Sequence, residues 1–542
     1  MGAGGDLSAD ERARVAPYVT DPEGPVFALR GLPEAVKGAL FARYSRSPNS
    51  VRRILLDEFV AAESVTGTGT VPVTGVGTDR AREFFQRVLA DYGDDSVAQL
   101  GGAHVAMEGV SNVLTKVIEW GRLASYLEQS TRYVPYTDMV DGRWKYVRPP
   151  GISAHPDLLA RYEAVLDDAF ATYSRLFDAV LDHLVAGDAS GADDAAARRA
   201  LRARALDAVR GLLPAATTAN LGVYASGQAW EQLIIRLRAH PLAEAREAGD
   251  RVLVALRQVI PDFLTRVDRP DRGERMGAYR RANDDRAATM WEALAGSAET
   301  PTPVTVTPSA LPGVRLVQHD PDGERRVLAH ALWPESGRTI DEVRARVDAL
   351  DDSAVRAVLA EWAAGRADRR ERTGRALEAT SYLFEVTCDY GAYRDLQRHR
   401  IHTLEAQPLG ANLGWEPSSD VEAAGLADEF ARVNAASAAL WRDVLAVVPE
   451  EAPYAVTMAH RIRFTMRMNA REAMHLIELR SQPQGHAAYR RVAQDMLVAI
   501  RDHAGQPGIA GLMEFTDMSG EGGRLAQERR TEAKRAADTV DS

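Results

Sequence analysis

A stretch rich in proline and threonine, GSAETPTPVTVTPSALPG at 296–313, divides the chain into two long segments that both read as amphipathic helix over much of their length. Proline is excluded from helix interiors and from central strands, so this stretch continues neither neighbour. It predicts a semi-rigid interdomain linker. We therefore expect a first domain over 1–295 and a second over 314–542.

The two segments share an order of features. The first contains HVAMEGVSNVLTKVIEWGR at 104–122, a strand-like run that enters a helix, and later QAWEQLIIRLR at 228–238. The second contains YLFEVTCDYGAYRDLQRHR at 382–400 and later NAREAMHLIELR at 469–480. A repeat of this length is a duplication of a whole domain and not a short-period solenoid.

Composition excludes several classes of protein. The formal net charge of −11 gives no basic face for general nucleic-acid binding, and no apolar run approaches the ~18 residues of a membrane span. Cys388 is the only cysteine, so an intrachain disulfide and a cysteine-based zinc site are excluded. Because Cys388 lies in a strand-like segment, we expect its side chain in the core. The N-terminal residues do not form a secretory signal. We expect a cytoplasmic protein that binds neither nucleic acid nor membrane.

Two polar clusters are candidates for binding an anion. Arg398-His399-Arg400 places two guanidinium groups beside an imidazole, which suits a phosphate or an anionic ring. A compact segment in the first half offers hydroxyl, carboxylate and guanidinium groups that suit a nucleotide: Ser125, Glu128, Ser130, Arg132 and Tyr133. Taken singly, the first could be a solvated helix face and the second the polar end of a helix.

The segment 469–480 reads as one helix, on which Glu472-x-x-His475 has the spacing of a di-iron ligand pair. No second such pair is present, and Arg471 and Arg480 would oppose a cation, so we predict no metal site. No glycine-rich phosphate loop occurs in a strand–turn–helix context, so a nucleotide or flavin must be held mainly by side chains.

Together these segments resemble the flavin-dependent thymidylate synthase family, whose signature begins RHR and continues to E-x-S-x-R-Y, with a later N-A-R…H/N…L-R helix. The signature is split here. The second half has Arg398-His399-Arg400 but AQPLGA in place of E-x-S-x-R-Y, whereas the first has Trp120-Gly121-Arg122 in place of RHR but keeps the second part. The resemblance implies an α+β fold of two tandem domains, helix-rich with a small mixed sheet in each.

The resemblance also implies roles for individual residues. The nucleotide would be bound by Ser125, Glu128, Ser130, Arg132, Tyr133, Arg210 and Arg480. The cofactor FAD would be bound by Arg398, His399, Arg400, Asn469 and His475. Arg398, Arg480 and Asp395 would act on the reacting ring. Because members of the family are homotetramers, two copies of this chain would form a homodimer that reproduces the four-domain assembly.

The family reductively methylates C5 of a uracil nucleotide, so the resemblance implies conversion of dUMP or a close analogue, with methylenetetrahydrofolate and NADPH as co-substrates. One residue departs from the pattern: Asp395 stands where the family places a glutamine that contacts the pyrimidine. A carboxylate accepts hydrogen bonds but donates none, so base recognition would change. Two alternatives stay open: hydroxymethylation of a pyrimidine nucleotide, and an inactive paralogue that only binds nucleotide or flavin.

Overall fold

The structure, a computed structural model, describes residues 7–45, 47–60, 98–187, 195–295, 313–520, 522–526, 528–530 and 533. The predicted linker at 296–313, apart from Gly313, lies outside the described residues. None of the helices within these ranges is both long and apolar enough to cross a membrane.

Seven strands are present among the described residues: β1 (Gly102–Ser111), β2 (Ala124–Glu128), β3 (Thr218–Ser226), β4 (Val314–Gln318), β5 (Ser381–Asp389), β6 (Thr403–Ala406) and β7 (Arg461–Asn469).

The α-helices of the described residues are α1 (Ala9–Val15), α2 (Glu34–Tyr44), α3 (Val51–Ile54), α4 (Asn112–Ile118), α5 (Pro150–Ser153), α6 (Pro156–Gly187), α7 (Ala195–Val209), α8 (Gly227–Ala239), α9 (Ala243–Leu256), α10 (Gly273–Ala295), α11 (Gly323–Ser336), α12 (Ile340–Asp348), α13 (Asp352–Trp362), α14 (Tyr390–Leu396), α15 (Ser419–Ala423), α16 (Ala427–Val447), α17 (Ala470–Arg480), α18 (Ala487–Val498) and α19 (Pro507–Gly511).

The chain forms two compact units that alternate along the sequence. The first unit comprises Met1–Glu108, Gly121–Glu128 and Asn220–Thr300, and the second comprises Gly109–Trp120, Gln129–Ala219 and Pro301–Ser542. The linear boundaries at 1–295 and 314–542 stay a prediction.

The two sheets repeat one strand order. The three-stranded sheet runs β1-β3-β2, and the four-stranded sheet runs β4-β5-β7-β6, so that β5-β7-β6 corresponds to β1-β3-β2. The helix-rich α+β fold with a small sheet in each half is confirmed. In the four-stranded sheet every pairing is antiparallel, where we predicted a mixed sheet.

The long strands of the second sheet build its core by alternation. Residues two apart on a strand face the same side, and β7 buries Ile462, Phe464, Met466 and Met468 in this way. β5 does the same with Tyr382, Phe384, Val386 and Cys388, which confirms the expectation that the cysteine lies in the core. Nine residue pairs join the two strands, from Ser381 with Asn469 to Asp389 with Arg461.

Four strands end on a residue that caps the next helix. The side chains of Ser111, Ser226, Asp389 and Asn469 each accept a hydrogen bond from the backbone N–H three residues on, at the start of α4, α8, α14 and α17. Such caps satisfy N–H groups that the helix itself leaves without partners. This strand–cap–helix motif fixes the position of the residues of α14 and α17 relative to the sheet.

Candidate functional site

The Arg-His-Arg cluster follows α14 directly. His399 is buried, whereas Arg398 and Arg400 on either side of it are exposed. The imidazole therefore lies within the protein, and the flanking guanidinium groups lie at its surface.

His399 joins a carboxylate to an arginine. Its Nδ1 lies 3.0 Å from Oε1 of Glu472, and its Nε2 accepts a hydrogen bond of 3.0 Å from Nε of Arg480. Because Arg480 can only donate, Nε2 carries the lone pair and Nδ1 carries the proton that is donated to Glu472. Burial and the charge of Arg480 lower the pKa of His399 well below its ordinary value, which keeps the ring in this neutral form.

Asp395, on α14, is surrounded by arginines. Its carboxylate lies 3.6 Å from Nη1 of Arg210 and 3.8 Å from Nη1 of Arg480. Burial raises the pKa of this carboxyl group, but the charges of Arg480, Arg210, Arg398 and Arg132 outweigh burial and lower it to about 2. Asp395 is therefore an ionised acceptor at the centre of a cationic cluster.

Arg132 is held in a fixed orientation. Its Nε and Nη2 donate to the two oxygens of Asp207 at 2.7 and 2.8 Å, and its Nη1 donates to the hydroxyl of Tyr489 at 2.8 Å. Burial lowers the pKa of Arg132, but the hydrogen bonds with Asp207 raise it by more, so the guanidinium stays charged. The ring of Tyr489 also lies below the guanidinium carbon of Arg480, 5.5 Å from its centroid.

Arg210 has a guanidinium nitrogen that makes no hydrogen bond with the described residues. It is buried, and its Nη2 has no hydrogen-bond partner among the described residues. That Nη2 lies 3.9 Å from Asp389, whose pKa is raised by burial to about 6 although Arg210 opposes the shift. The guanidinium approaches the backbone at Gly391, where a Cβ atom would lie 3.0 Å from Nε and Nη2. A buried donor without a partner is a place where an acceptor atom of a ligand would complete the hydrogen bonding.

The second unit thus brings together arginines from both halves of the sequence: Arg132, Arg210, Arg398 and Arg480 all lower the pKa of Asp395. Ser130 and the exposed Tyr133 belong to the same unit, next to Arg132 in sequence. Ser125 and Glu128 lie on β2 in the first unit, so their role as ligands stays a prediction. Asn469 uses its amide oxygen to cap α17, which leaves its amide nitrogen for a cofactor.

His399, Glu472 and His475 have ligand atoms within 4.8 Å of one another, close enough to hold a metal ion. The hydrogen bonds oppose this use. With Nε2 accepting from Arg480, Nδ1 of His399 carries its proton and has no lone pair to offer. Arg480, Arg372 and Arg369 also lower the pKa of His475, after the larger effect of burial, and would repel a cation.

Two residues of the cluster were not predicted from the sequence. Asp207 lies three residues before Arg210 at the end of α7, and Tyr489 lies nine residues after Arg480 on α18. Asp207 binds Arg132, which lies 75 residues earlier in the chain, so no local spacing identifies this pair.

The first unit has a counterpart of Arg480 that is already paired. Arg238 stands at the equivalent place before the end of α8. It forms an ion pair with Asp250 at 2.9 Å and donates a hydrogen bond to Asp268 at 2.5 Å. Within the described parts of the chain Arg480 meets one carboxylate, that of Asp395, and only at 3.8 Å. The arginine of the second unit is therefore the one suited to an anionic ligand.

The fold and this cluster define a thymidylate-synthase-like enzyme, and comparison with known proteins agrees. The model of the thymidylate synthase complementing protein (Thy1) family matches residues 42–262 and 315–504. A UPF0159 protein of Chlamydia muridarum is 36% identical over 538 residues, which cover 98% of this chain and 99% of that protein. A flavin-dependent thymidylate synthase of Mycolicibacterium gilvum is 30% identical over 184 residues, 33% of this chain and 68% of that enzyme. The chain belongs to the thymidylate synthase complementing protein family.

Two solved structures resemble parts of the chain. A UMP/dUMP methylase from Streptomyces cacaoi, bound with 5-Br dUMP, is 17% identical with a TM-score of 0.31, over 39% of this chain and 96% of that one. A flavin-dependent thymidylate synthase from Helicobacter pylori, complexed with FAD and dUMP, is 16% identical with a TM-score of 0.27, over 35% of this chain and 93% of that one.

Proposed function

We propose that this enzyme carries out flavin-dependent reductive methylation at C5 of a uracil nucleotide, converting dUMP or a close analogue. The observation that carries the proposal is the arginine cluster around Asp395, which combines Arg132 from the first half of the split signature with Arg398 and Arg480 from the second. FAD would be the cofactor, with NADPH and methylenetetrahydrofolate as co-substrates. A cytoplasmic homodimer of four domains is part of the same proposal.

Arg132 and Arg210 would bind the nucleotide phosphate. Asp207 already orients the first of these side chains through two hydrogen bonds, and the second has a buried Nη2 that needs an acceptor. A fork of guanidinium donors matches a phosphate better than single cations would. Ser130 and Tyr133, in the same unit, would complete this part of the nucleotide site. The predicted contacts of Ser125 and Glu128 with the nucleotide stay a separate proposal for the first unit.

Arg480 would stabilise negative charge that develops on the pyrimidine carbonyls. C5 of the ring becomes nucleophilic only when that charge can build up, so a fixed cation beside the ring lowers the barrier. His399 accepts a hydrogen bond from Nε of Arg480. The other N–H groups of Arg480 would then be available to the substrate. Arg398, exposed beside it, would act on the same ring.

The donors on the second unit fit a flavin. Two exposed guanidiniums, Arg398 and Arg400, flank buried His399, whose ring centroid lies 5.3 Å from that of half-buried His475. These groups and the amide nitrogen of Asn469 would hold the phosphates and the ring system of FAD. When bound and reduced, FAD would supply the hydride of the reaction.

Asp395 favours a second candidate. As a carboxylate with a pKa of about 2, it can accept from a base but cannot donate to a carbonyl as glutamine can. This favours a different pyrimidine nucleotide, or hydroxymethylation in place of methylation. The mass of the product formed from each nucleotide distinguishes these reactions.

The visible absorbance spectrum of the purified protein, before and after addition of dUMP, tests the proposal. We expect flavin bands that shift when dUMP binds, with the shift lost in Arg132→Ala. A flavin spectrum that is indifferent to dUMP would redirect the assignment to another nucleotide. A colourless protein that cannot be reconstituted with FAD would contradict the proposal and favour an inactive paralogue.

A further inference from the structure

The carboxyl group of Asp389 has one oxygen atom without a hydrogen-bond partner. Asp389 is the last residue of β5, and its side chain is buried. Its Oδ1 accepts a hydrogen bond of 2.9 Å from the backbone N–H of Ala392, at the start of α14. Its Oδ2 is also buried but makes no hydrogen bond with the part of the chain that the structure describes. A buried polar atom in this state costs free energy unless a ligand or a water molecule supplies the missing hydrogen bond.

The partnerless Nη2 of Arg210 lies beside this carboxyl group. The distance from Nη2 to Oδ1 of Asp389 is 3.9 Å, which is too long for a hydrogen bond. A Cβ atom at Gly391 would lie 2.9 Å from Oδ1 of Asp389 and 3.0 Å from Nη2 of Arg210, so both groups border the space that the glycine leaves open. A buried donor and a buried carboxyl group, each with an atom that needs a partner, are therefore neighbours.

The charges around Asp389 determine how an anion can bind beside Arg210. They come from four elements of the fold: Arg210 after α7, Asp395 on α14, Glu416 before α15 and Arg461 on β7. Arg461 is ion-paired with Glu416 at 2.9 Å, and burial raises the pKa of the adjacent Cys388 thiol and keeps it neutral. Asp395, 3.6 Å from Nη1 of Arg210, is ionised. A phosphate bound to Arg210 would therefore be repelled by two carboxylates unless Asp389 carries a proton.

We propose that Asp389 binds the phosphate of the nucleotide as a carboxylic acid, donating from Oδ2 while Arg210 donates from Nη2, so that binding takes up one proton from solvent. The inference rests on the proposed binding of phosphate by Arg210. Because Oδ1 already accepts from Ala392, the proton belongs on Oδ2. Burial raises the pKa of Asp389 to about 6, and a phosphate beside it raises that pKa further. Near neutral pH the empty site thus holds the carboxylate and the occupied site holds the acid.

Proton uptake makes the affinity for dUMP depend on pH. Above about pH 6 the dissociation constant of the native protein should rise roughly tenfold per pH unit relative to that of Asp389→Asn. The asparagine keeps an oxygen that caps α14 and an N–H donor that does not titrate. Ionisation of the phosphate itself affects both proteins alike, so the ratio of their dissociation constants isolates Asp389. A ratio that does not change with pH would refute the inference.

Calorimetric titration of the full chain with dUMP, in buffers of different ionisation enthalpy, counts the protons directly. At about pH 7.5 we expect uptake of about one proton by the native protein and close to none by Asp389→Asn. The matched control is Asp495→Asn, which should keep the uptake: burial raises the pKa of Asp495 too, but its charged neighbour is Arg491. Equal uptake in the native protein and Asp389→Asn, or binding of dUMP by the native protein without a proton, would overturn the inference.

Inorganic phosphate as a second probe separates this inference from the proposed reaction. Binding of inorganic phosphate with an Asp389-dependent proton, but no binding of dUMP, would support the phosphate site and contradict a uracil nucleotide as substrate. Flavin bands that shift with dUMP, but no proton that depends on Asp389, would support the reaction and refute the inference. A protein that binds neither probe would contradict both.

Discussion

Replacing Glu472 by glutamine tests whether the carboxylate acts on catalysis through His399. The substitution keeps the size of the side chain and an oxygen that can accept from Nδ1 of His399, 3.0 Å away. It removes the negative charge and replaces the second oxygen by an NH2 group. His399 would still accept from Arg480, but its ring would be held less firmly, and so would the guanidinium beside the reacting ring.

The size of the effect follows from the change of acceptor. A hydrogen bond to a charged group contributes about 1.5–3 kcal/mol and one between neutral groups about 0.5–1.5 kcal/mol. The replacement therefore weakens the contact by roughly 1–1.5 kcal/mol, which corresponds to a roughly 5- to 12-fold lower rate. Because the charge on the pyrimidine develops only in the transition state, the loss is expected in kcat, with KM for the nucleotide nearly unchanged.

Turnover of dUMP with FAD, NADPH and methylenetetrahydrofolate measures this, together with flavin content and thermal stability. The matched control is Glu478→Gln on the same helix. Glu478 is also buried, but it pairs with Arg366 at 2.7 and 2.9 Å. We expect the control to lose stability and keep kcat. An unchanged kcat in Glu472→Gln, or an equal loss in Glu478→Gln, would refute the reasoning.

Three further predictions concern the arginine cluster. Gly391→Ala places a Cβ 3.0 Å from the guanidinium of Arg210 and should weaken dUMP binding about tenfold (roughly 1.4 kcal/mol) in a spectral titration, whereas Gly511→Ala, whose Cβ meets nothing within 4 Å, should not. Asp389 has a raised pKa of about 6, so the native state keeps a proton that the unfolded state loses, and folding stability falls as pH rises from about 4 to 6. Denaturant unfolding should show the native protein losing up to ~3 kcal/mol relative to Asp389→Asn across that range, and parallel curves would contradict this. Arg132→Ala and Arg398→Ala should each abolish turnover, and since both arginines act on one Asp395, co-expressing the two variants should restore none; recovered activity would place the site between chains.

The secondary structure around the motifs was largely predictable because its signals are local. The helix expected over 469–480 is α17 with Asn469 as its cap, and the strand-like run from residue 104 is β1, which leads into α4. For the polar segment from Ser125 to Tyr133 the sequence left the end of a helix open as an alternative, and the first part of this segment lies in strand β2. Its strand form depends on pairing with β3, about a hundred residues away, and a pairing at that distance leaves no local pattern.

The candidate site was predictable only where a motif marks it. His399 and Arg480 belong to recognisable segments, and the structure joins them directly. Asp207 and Tyr489 have no motif, and they enter the cluster because α7 and α18 bring them to Arg132. Residues that hold an arginine in place are set by the packing of helices, and a sequence that is read motif by motif does not reveal that packing.

The different ion pairs of the equivalent residues Arg238 and Arg480 explain why a signature divided between two halves can still form a site. In the first unit, Arg238 is neutralised by Asp250 and Asp268, so a second anion there would have to displace a carboxylate. In the second unit, Arg132 is paired with Asp207, while Arg210, Arg398 and Arg480 surround Asp395, which leaves an excess of positive charge. Arg132 and Arg210 come from the first half of the sequence, yet they belong to the second unit. The first half has lost RHR and the second half has lost E-x-S-x-R-Y, but the second unit still contains every arginine of this cluster.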